Sequence, residues 1–388
     1  MRDAKLINDF YMAMLNNPFV VAGAIPDEYF CDRKMETERL VKSLVNGNNV
    51  VLISPRRMGK TGLIRHVFAQ QEIRNNFYTI FVDILQTTSL KEFVQLLGME
   101  IFSALKSSGS KLLMKFMQTL KSVGGSFGID AITGSPTFNL QIGEVKNPEF
   151  TLDEIFEFLE KADRNCIVAI DEFQQIGKYK EANVEALLRS YIQKSAKGNF
   201  IFAGSERRMM QEMFLSNSRP FYNSADMMSL QPIPSEVYVE FAVENFRRFG
   251  KSVGREAVDD VYEQFDGVTY FLQRAMNEAF ANTPDGGVCD GQTVSAAVDY
   301  IMETGDMLYR EILSSIPINQ KEVLIAIAKE GKARRVMSGE FLKRWHLPTA
   351  SSVQNSIRRL IDRNLIVEAG GVYSVDDKLL GLWLRRQY

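Results

Sequence analysis

Apolar and polar positions divide this chain into three stretches of different character. Up to about residue 205, short apolar runs alternate with amphipathic helical periods. The runs lie at Val50–Ile53, Tyr78–Ile84, Asn165–Ile170 and Asn199–Ala203, each the length of one strand. Helical spacing fills Gly62–Gln71, Leu90–Leu105 and the stretches 152–162 and 182–196. Strand, helix, strand in this order predicts an α/β fold with a parallel sheet and right-handed crossovers. Runs this apolar predict strands covered on both faces. A helical stretch at the start, a turn-rich segment from Asn17 to Pro26 and a helix carrying Leu40, Leu44 and Val45 precede the first strand.

The segment 106–150 breaks the rhythm. Ser107-Ser108-Gly109 and Gly124-Gly125 punctuate it, and alternating runs flank Thr133-Gly134-Ser135-Pro136, which predicts an inserted hairpin. Leu230-Gln231-Pro232-Ile233-Pro234 reads as a boundary, after which 235–305 is helical with no clear strand. From Ile318 three helices, near 319–330, 338–345 and 350–363, lead to Leu365–Glu368, Gly370-Gly371 and Val372–Val375. Three helices and a small hairpin are the winged-helix plan. The expected domains are 1–231, 232–310 and 311–388.

Composition narrows the function classes. A chain of 388 residues, 45% hydrophobic and 24% charged, suits two or three globular domains. Cys31, Cys166 and Cys289 are odd in number and far apart, which argues against a disulfide framework or a zinc site and fits a reducing cytoplasm. His66 and His346 fall on different elements, so a histidine metal centre is not expected. Met1–Asp9 is polar and does not read as a signal peptide, and no apolar run suits a membrane span. Net charge is -2, yet 318–388 holds thirteen basic and seven acidic residues, so the tail is the basic part.

The chemistry concentrates at two strand ends. Val50–Ile53 runs into Ser54-Pro55-Arg56-Arg57-Met58-Gly59-Lys60-Thr61, and Gly62 continues into a helix. This is the layout of a nucleoside triphosphate site: loop N–H groups and the helix N-terminus face phosphate oxygens. Lys60 would reach the β- and γ-phosphates and the Thr61 hydroxyl would hold Mg²⁺. Ser54 stands where the usual pattern has its first Gly, which requires negative φ there. The run from Asn165 ends in Asp171-Glu172, at the edge where parallel sheets bind ligands. Asp171 would support Mg²⁺, mostly through water, and Glu172 would deprotonate an attacking water; alternatively both acids cap a strand.

Phe30-x-Asp32-Arg33-x-x-Glu36, the loop Ser54–Thr61, Asp171-Glu172-Phe173-Gln174 and Phe202-Ala203-Gly204-Ser205 together resemble the AAA+/STAND-type P-loop ATPases of archaea and bacteria. The similarity extends to Gly267–Gln273 and covers most of residues 17–280. It implies an AAA+-type sheet, a helical lid and a C-terminal winged helix, with ATP or ADP and Mg²⁺ bound between sheet domain and lid. By the same resemblance Ser205 matches a polar sensor of the γ-phosphate or the attacking water; a strand-end cap is the other reading. Ile25 and Pro26 match the segment that packs on adenine. Relatives carry Pro-Leu-Tyr-Gly-Arg where this chain has Pro220-Phe221-Tyr222-Asn223-Ser224, so the usual Arg is missing. Arg219 stands just before and is the candidate arginine finger, unless it is a surface charge or a partner subunit supplies the group. One of Arg56 and Arg57 could pair with a phosphate or a neighbouring subunit, or both face solvent.

On the helix 350–363, Val353, Ile357, Leu360 and Ile361 mark the core side. Ser352, Asn355, Arg358, Arg359 and Arg363 on the rest suit base edges and phosphates of duplex DNA. In STAND relatives, however, the winged helix packs as a switch element. The reading is an ATPase switch coupled to DNA or a protein partner, slow without one. A non-hydrolysing, nucleotide-stabilised DNA-binding regulator is the alternative. No membrane partner is expected, and a homo-oligomer is allowed because switch ATPases form rings or dimers.

Overall fold

The computed structural model describes residues 17–106, 110–120, 127–129, 136–138 and 147–388. These form two compact units, one spanning Asp32–Pro232 and one joining Ile233–Tyr388 with the segment that ends at Cys31.

The first unit begins with α1 (Lys34–Val45), β1 (Val50–Ile53), α2 (Lys60–Ala69), α3 (Gln71–Asn76) and β2 (Phe77–Asp83). Then come α4 (Leu90–Lys106), α5 (Ser110–Thr119), β3 (Phe127–Ile129), β4 (Pro136–Phe138) and α6 (Pro148–Lys161). It closes with β5 (Asn165–Asp171), a 3-10 turn (Phe173–Lys178), α7 (Val184–Lys194), β6 (Gly198–Gly204), α8 (Arg207–Leu215) and β7 (Asp226–Ser229). Five strands pair in the order β2-β5-β6-β1-β7, every pair parallel. Cys166–Asp171 and Asn199–Gly204 are buried throughout, as strands covered on both faces must be. Register sets Ile53 beside Gly204 and Asp83 beside Asp171, so the C-terminal strand ends share one edge.

Two local features refine the sequence reading. The fifth strand, Asp-Met-Met-Ser, was not expected: it is short, polar at both ends and sits at the sheet edge. The helix expected at 152–162 starts at Pro148, because the Asn147 side chain accepts from the Phe150 N–H and Pro148 takes the first helical position. β3 and β4 pair antiparallel inside the expected insertion. Ser107–Gly109, Gly124-Gly125, Thr133–Ser135 and the helical stretch expected before Asn17 lie outside the described residues.

The second unit holds α9 (Ser235–Arg248), β8 (Ser252–Val253), α10 (Arg255–Gln264), α11 (Thr269–Asn282), β9 (Val288–Cys289), α12 (Gly291–Glu303) and α13 (Asp306–Ser314). β8 and β9 form a two-residue parallel pair in the stretch expected to be purely helical. The winged helix follows as α14 (Ile318–Glu330), β10 (Ala333–Arg334), α15 (Gly339–Arg344), α16 (Ala350–Asp362), β11 (Ile366–Ala369), β12 (Val372–Val375) and α17 (Lys378–Gln387). Its sheet runs β10-β12-β11, antiparallel. The segment 17–31 belongs here because Phe19 is fully buried among Phe241, Phe246 and Phe280, with centroids 5.6–6.0 Å away. Asn17 and Asn277 each donate from the side-chain amide to a backbone carbonyl of the other segment, Asn17 to Asn277 O at 2.8 Å and Asn277 to Phe19 O at 2.7 Å. Among the described residues no helix is long and apolar enough to cross a membrane.

Candidate functional site at the sheet edge

The loop between β1 and α2 is set by backbone conformation. Gly59, the residue before α2, has φ +85° with open space where a Cβ would point, so conformation rather than room demands glycine. Arg57 is also left-handed, at φ +67°. Ser54 is fully buried, stays out of the left-handed region, and donates its N–H to Gly204 O at 3.2 Å. The loop is therefore tied to the end of β6 at its first residue. Pro55 and Arg57 are exposed, Arg56 is half-buried and Met58 is buried. Thr61 and Gly62 form the first turn of α2, whose N-terminal N–H groups and dipole favour an anion.

Lys60 and the two acids at the end of β5 meet directly. Lys60 Nζ lies 2.8 Å from Asp171 Oδ1 and 3.3 Å from Glu172 Oε1, with the Lys60 and Asp171 side chains almost wholly buried. Thr61 Oγ1 donates to Asp171 Oδ2 at 2.7 Å. Glu172 has φ +57°, and its Oε2 accepts from Ser205 Oγ at 2.6 Å and Gln174 Nε2 at 2.5 Å. Lys60, Thr61, Asp171, Glu172 and Ser205, read separately from sequence, thus form one hydrogen-bonded network across α2, β5 and β6.

The network fixes protonation. Burial works against charge on Glu172, but the Lys60 ammonium and the hydrogen bonds from Ser205 and Gln174 outweigh it and hold the carboxyl below its ordinary value. Glu172 is therefore ionised at neutral pH and able to accept a proton. Asp83, at the end of β2 beside Asp171, moves the other way. Burial, joined by the negative charges of Asp171 and Glu172, raises it against a hydrogen bond from the Leu85 N–H and the Lys60 charge.

Thr61 and Asp171 offer hard oxygen donors side by side, the donor set for Mg²⁺ held chiefly by phosphates and water. No cluster of three His, Cys, Asp or Glu among the described residues could hold a metal by itself.

Three residues take parts that sequence reasoning did not assign. Arg33, buried and left-handed at φ +64°, donates to Gln231 O at 2.7 Å, pairs with Glu36 at 2.8 Å and reaches Met58 O at 3.4 Å. It braces the loop between β1 and α2 at Met58. Asp83 and Gln174 are the other two. The only sequence signals were Arg33 in the first motif and Gln174 in the third; Asp83 had only its strand-end position.

The other candidates have the following surroundings. Arg219 pairs with Glu185 at 2.6 Å and lies 3.8 Å from Glu212, so its guanidinium is engaged within its own unit. Ile25 and Pro26 are half-buried in the other unit. On α16, Ser352 is half-buried and Asn355, Arg358 and Arg359 are exposed, while Arg363 donates to Ser315 O at 3.2 Å.

Residues 30–274 match the family described as an ATPase domain predominantly from Archaea, and residues 307–386 match a probable winged helix domain. An uncharacterized ATP-binding protein of Methanocaldococcus jannaschii is 24% identical over 264 residues, which is 64% of this chain and 71% of that protein. The Walker-type ATPase PABY2304 of Pyrococcus abyssi has the same fold, with a TM-score of 0.65 at 19% identity over 95% of this chain and 99% of that one. The ORC2 protein of Aeropyrum pernix, solved in ADPNP–ADP complexes, gives 0.60 at 14% identity over 95% of each chain.

Proposed function

The chain belongs to the family of ATPase domains found predominantly in Archaea, and from that premise we propose that it hydrolyses ATP as a molecular switch coupled to its winged helix. The observation that carries this reading is the network joining Lys60, Thr61, Asp171, Glu172 and Ser205 at the C-terminal edge of the sheet. A site that only held nucleotide would need the lysine and the loop, but not a half-buried, ionised Glu172 on a polar anchor.

Lys60 and the N-terminus of α2 bind the β- and γ-phosphates. Thr61 and Asp171 would hold Mg²⁺, which when bound neutralises phosphate charge. Glu172 takes a proton from water as the water oxygen bonds to the γ-phosphorus. The bond from that phosphorus to the bridging oxygen breaks, and its electron pair leaves with ADP. The engagement of Arg219 by Glu185 supports slow turnover by the chain alone, because that guanidinium is then not free to stabilise the transferring phosphoryl group.

The coupling partner is read from α16. Arg358 and Arg359 are exposed and carry no ion pair among the described residues, which favours duplex DNA. Steady-state ATP hydrolysis by the full chain, with and without duplex DNA, tests both steps. Turnover that rises with DNA and is lost in Glu172→Gln is expected. Turnover indifferent to DNA points to a protein partner. Tight nucleotide binding with no turnover in any condition sinks the hydrolytic reading and leaves the nucleotide-stabilised regulator.

A further inference from the structure

Gln174 belongs to the Glu172 network but has no part in the chemistry just described. Its position is tightly determined. Glu172 and the 3-10 turn after it swing the chain away from β5, and Phe173 anchors that swing. The Phe173 ring is fully buried between Phe202, Phe214 and Phe221, at centroid distances of 4.7–5.7 Å. A non-glycine residue in the left-handed region is strained, and such strain persists where surrounding packing over-determines it. Gln174 follows directly, 1% exposed.

Two observations say what its amide is for. Nε2 donates to Glu172 Oε2. The other end, Oε1, is buried and meets no donor among the described residues. It rests against Gly204, where an added Cβ would come within 2.6 Å of it. A buried amide with one unmatched end costs free energy that an apolar side chain of similar size would not. Packing alone therefore does not explain glutamine here; its single satisfied bond, to Glu172, does.

The two carboxylate oxygens of Glu172 are held differently. Oε2 is fixed by Gln174 and Ser205, both uncharged and both on the unit's own frame. Oε1 is held by Lys60, the side chain that phosphates attract. We propose that Gln174 is a positioning residue for hydrolysis: with Ser205 it pins Oε2 of Glu172, so that Oε1, released as Lys60 turns to the phosphates, takes the proton of the attacking water. This rests on the hydrolytic reading above. Loss of the anchor would let the carboxylate rotate, and misplacement of about 1 Å costs on the order of 100-fold in rate.

The test compares full-length wild type, Gln174→Leu, Ser205→Ala and the double variant. kcat and KM for ATP, ADP affinity by calorimetry and thermal stability are measured for each. Gln174→Leu is expected to lower kcat by about 10- to 100-fold. KM and ADP affinity should stay within about twofold and stability should hold or rise, because the unmatched amide oxygen is gone. The double variant should lose less than the product of the two single losses, since both act on one oxygen. Unchanged kcat in Gln174→Leu, with wild type turning over, overturns the proposal and leaves the ATPase reading intact. Loss of ADP affinity together with stability makes Gln174 structural and also overturns it. No turnover in wild type that still binds ADP removes both readings together.

Discussion

Lys60 carries two loads that mutation can separate. In the proposed mechanism it is the phosphate ligand, and it is also the cation that compensates the buried Asp171 and half-buried Glu172 carboxylates. Removing one partner of a buried ionic cluster is destabilising by about 3–5 kcal/mol, because the remaining charges lose their compensation. Lys60→Met is therefore expected to weaken nucleotide binding and also to lower the denaturation midpoint of the chain. Glu172→Gln keeps the Lys60–Asp171 pair, so it should retain binding and stability while turnover disappears. Calorimetric affinities and denaturant midpoints for the two variants check this; equal stability losses would refute the separation. At this scale the sequence was legible where a role is local. Gly59-Lys60-Thr61 is contiguous, and Asp171-Glu172 ends an apolar run. Arg33 was not legible as a brace, because its partner Met58 lies 25 residues away and only the fold brings them together. Gln174 was visible in its motif, but its bond to Glu172 depends on a left-handed turn that composition does not announce.

At the scale of elements, period and length sufficed for four strands of the main sheet and for its long helices, because burial on both faces writes itself as an unbroken apolar run. β7 escaped, since an edge strand of four residues with Asp226 and Ser229 at its ends has no such run. Nor did any pattern reveal that residues 17–31 pack with the C-terminal unit. That placement depends on Phe19 entering an aromatic cluster whose other members follow more than 200 residues later. Truncation of a fully buried Phe to Ala costs about 3–5 kcal/mol through lost transfer energy and a residual cavity. Phe19→Ala should thus destabilise the unit of α9–α17 by that order, read as a lower urea midpoint by a probe in that unit. A midpoint unchanged there would mean that the segment contributes little to the packing of its unit.

Charge counted along the chain overstated the free basic surface of the whole molecule. Part of the basic charge over 318–388 is spent on internal pairs. Arg344 meets Glu330 at 2.9 Å and Glu340 at 2.8 Å, and Arg386 pairs with Asp299. Lys332 and Lys378 both converge on Asp266, at 2.7 and 2.8 Å. Asp266 follows α10, whereas its lysines belong to the winged helix, so this carboxylate ties the winged helix to the helical bundle before it within one unit. Burial disfavours its charge, but the hydrogen bonds and charges of Lys332 and Lys378 prevail and keep it below its ordinary value. A carboxyl lowered on folding contributes stability above its unfolded value, near pH 4, and that contribution fades as pH falls through the folded value. Lys332 is largely exposed, so solvent screening limits the pairs to about 1 kcal/mol together. Asp266→Asn isolates the charge, because asparagine also accepts the left-handed φ of +52° found there. At neutral pH and low salt the variant should be less stable than wild type by that amount. The gap should close as pH is lowered below 4, with wild type losing the advantage. A gap that persists in acid would show that the side chain's shape, not its charge, joins the winged helix to the bundle.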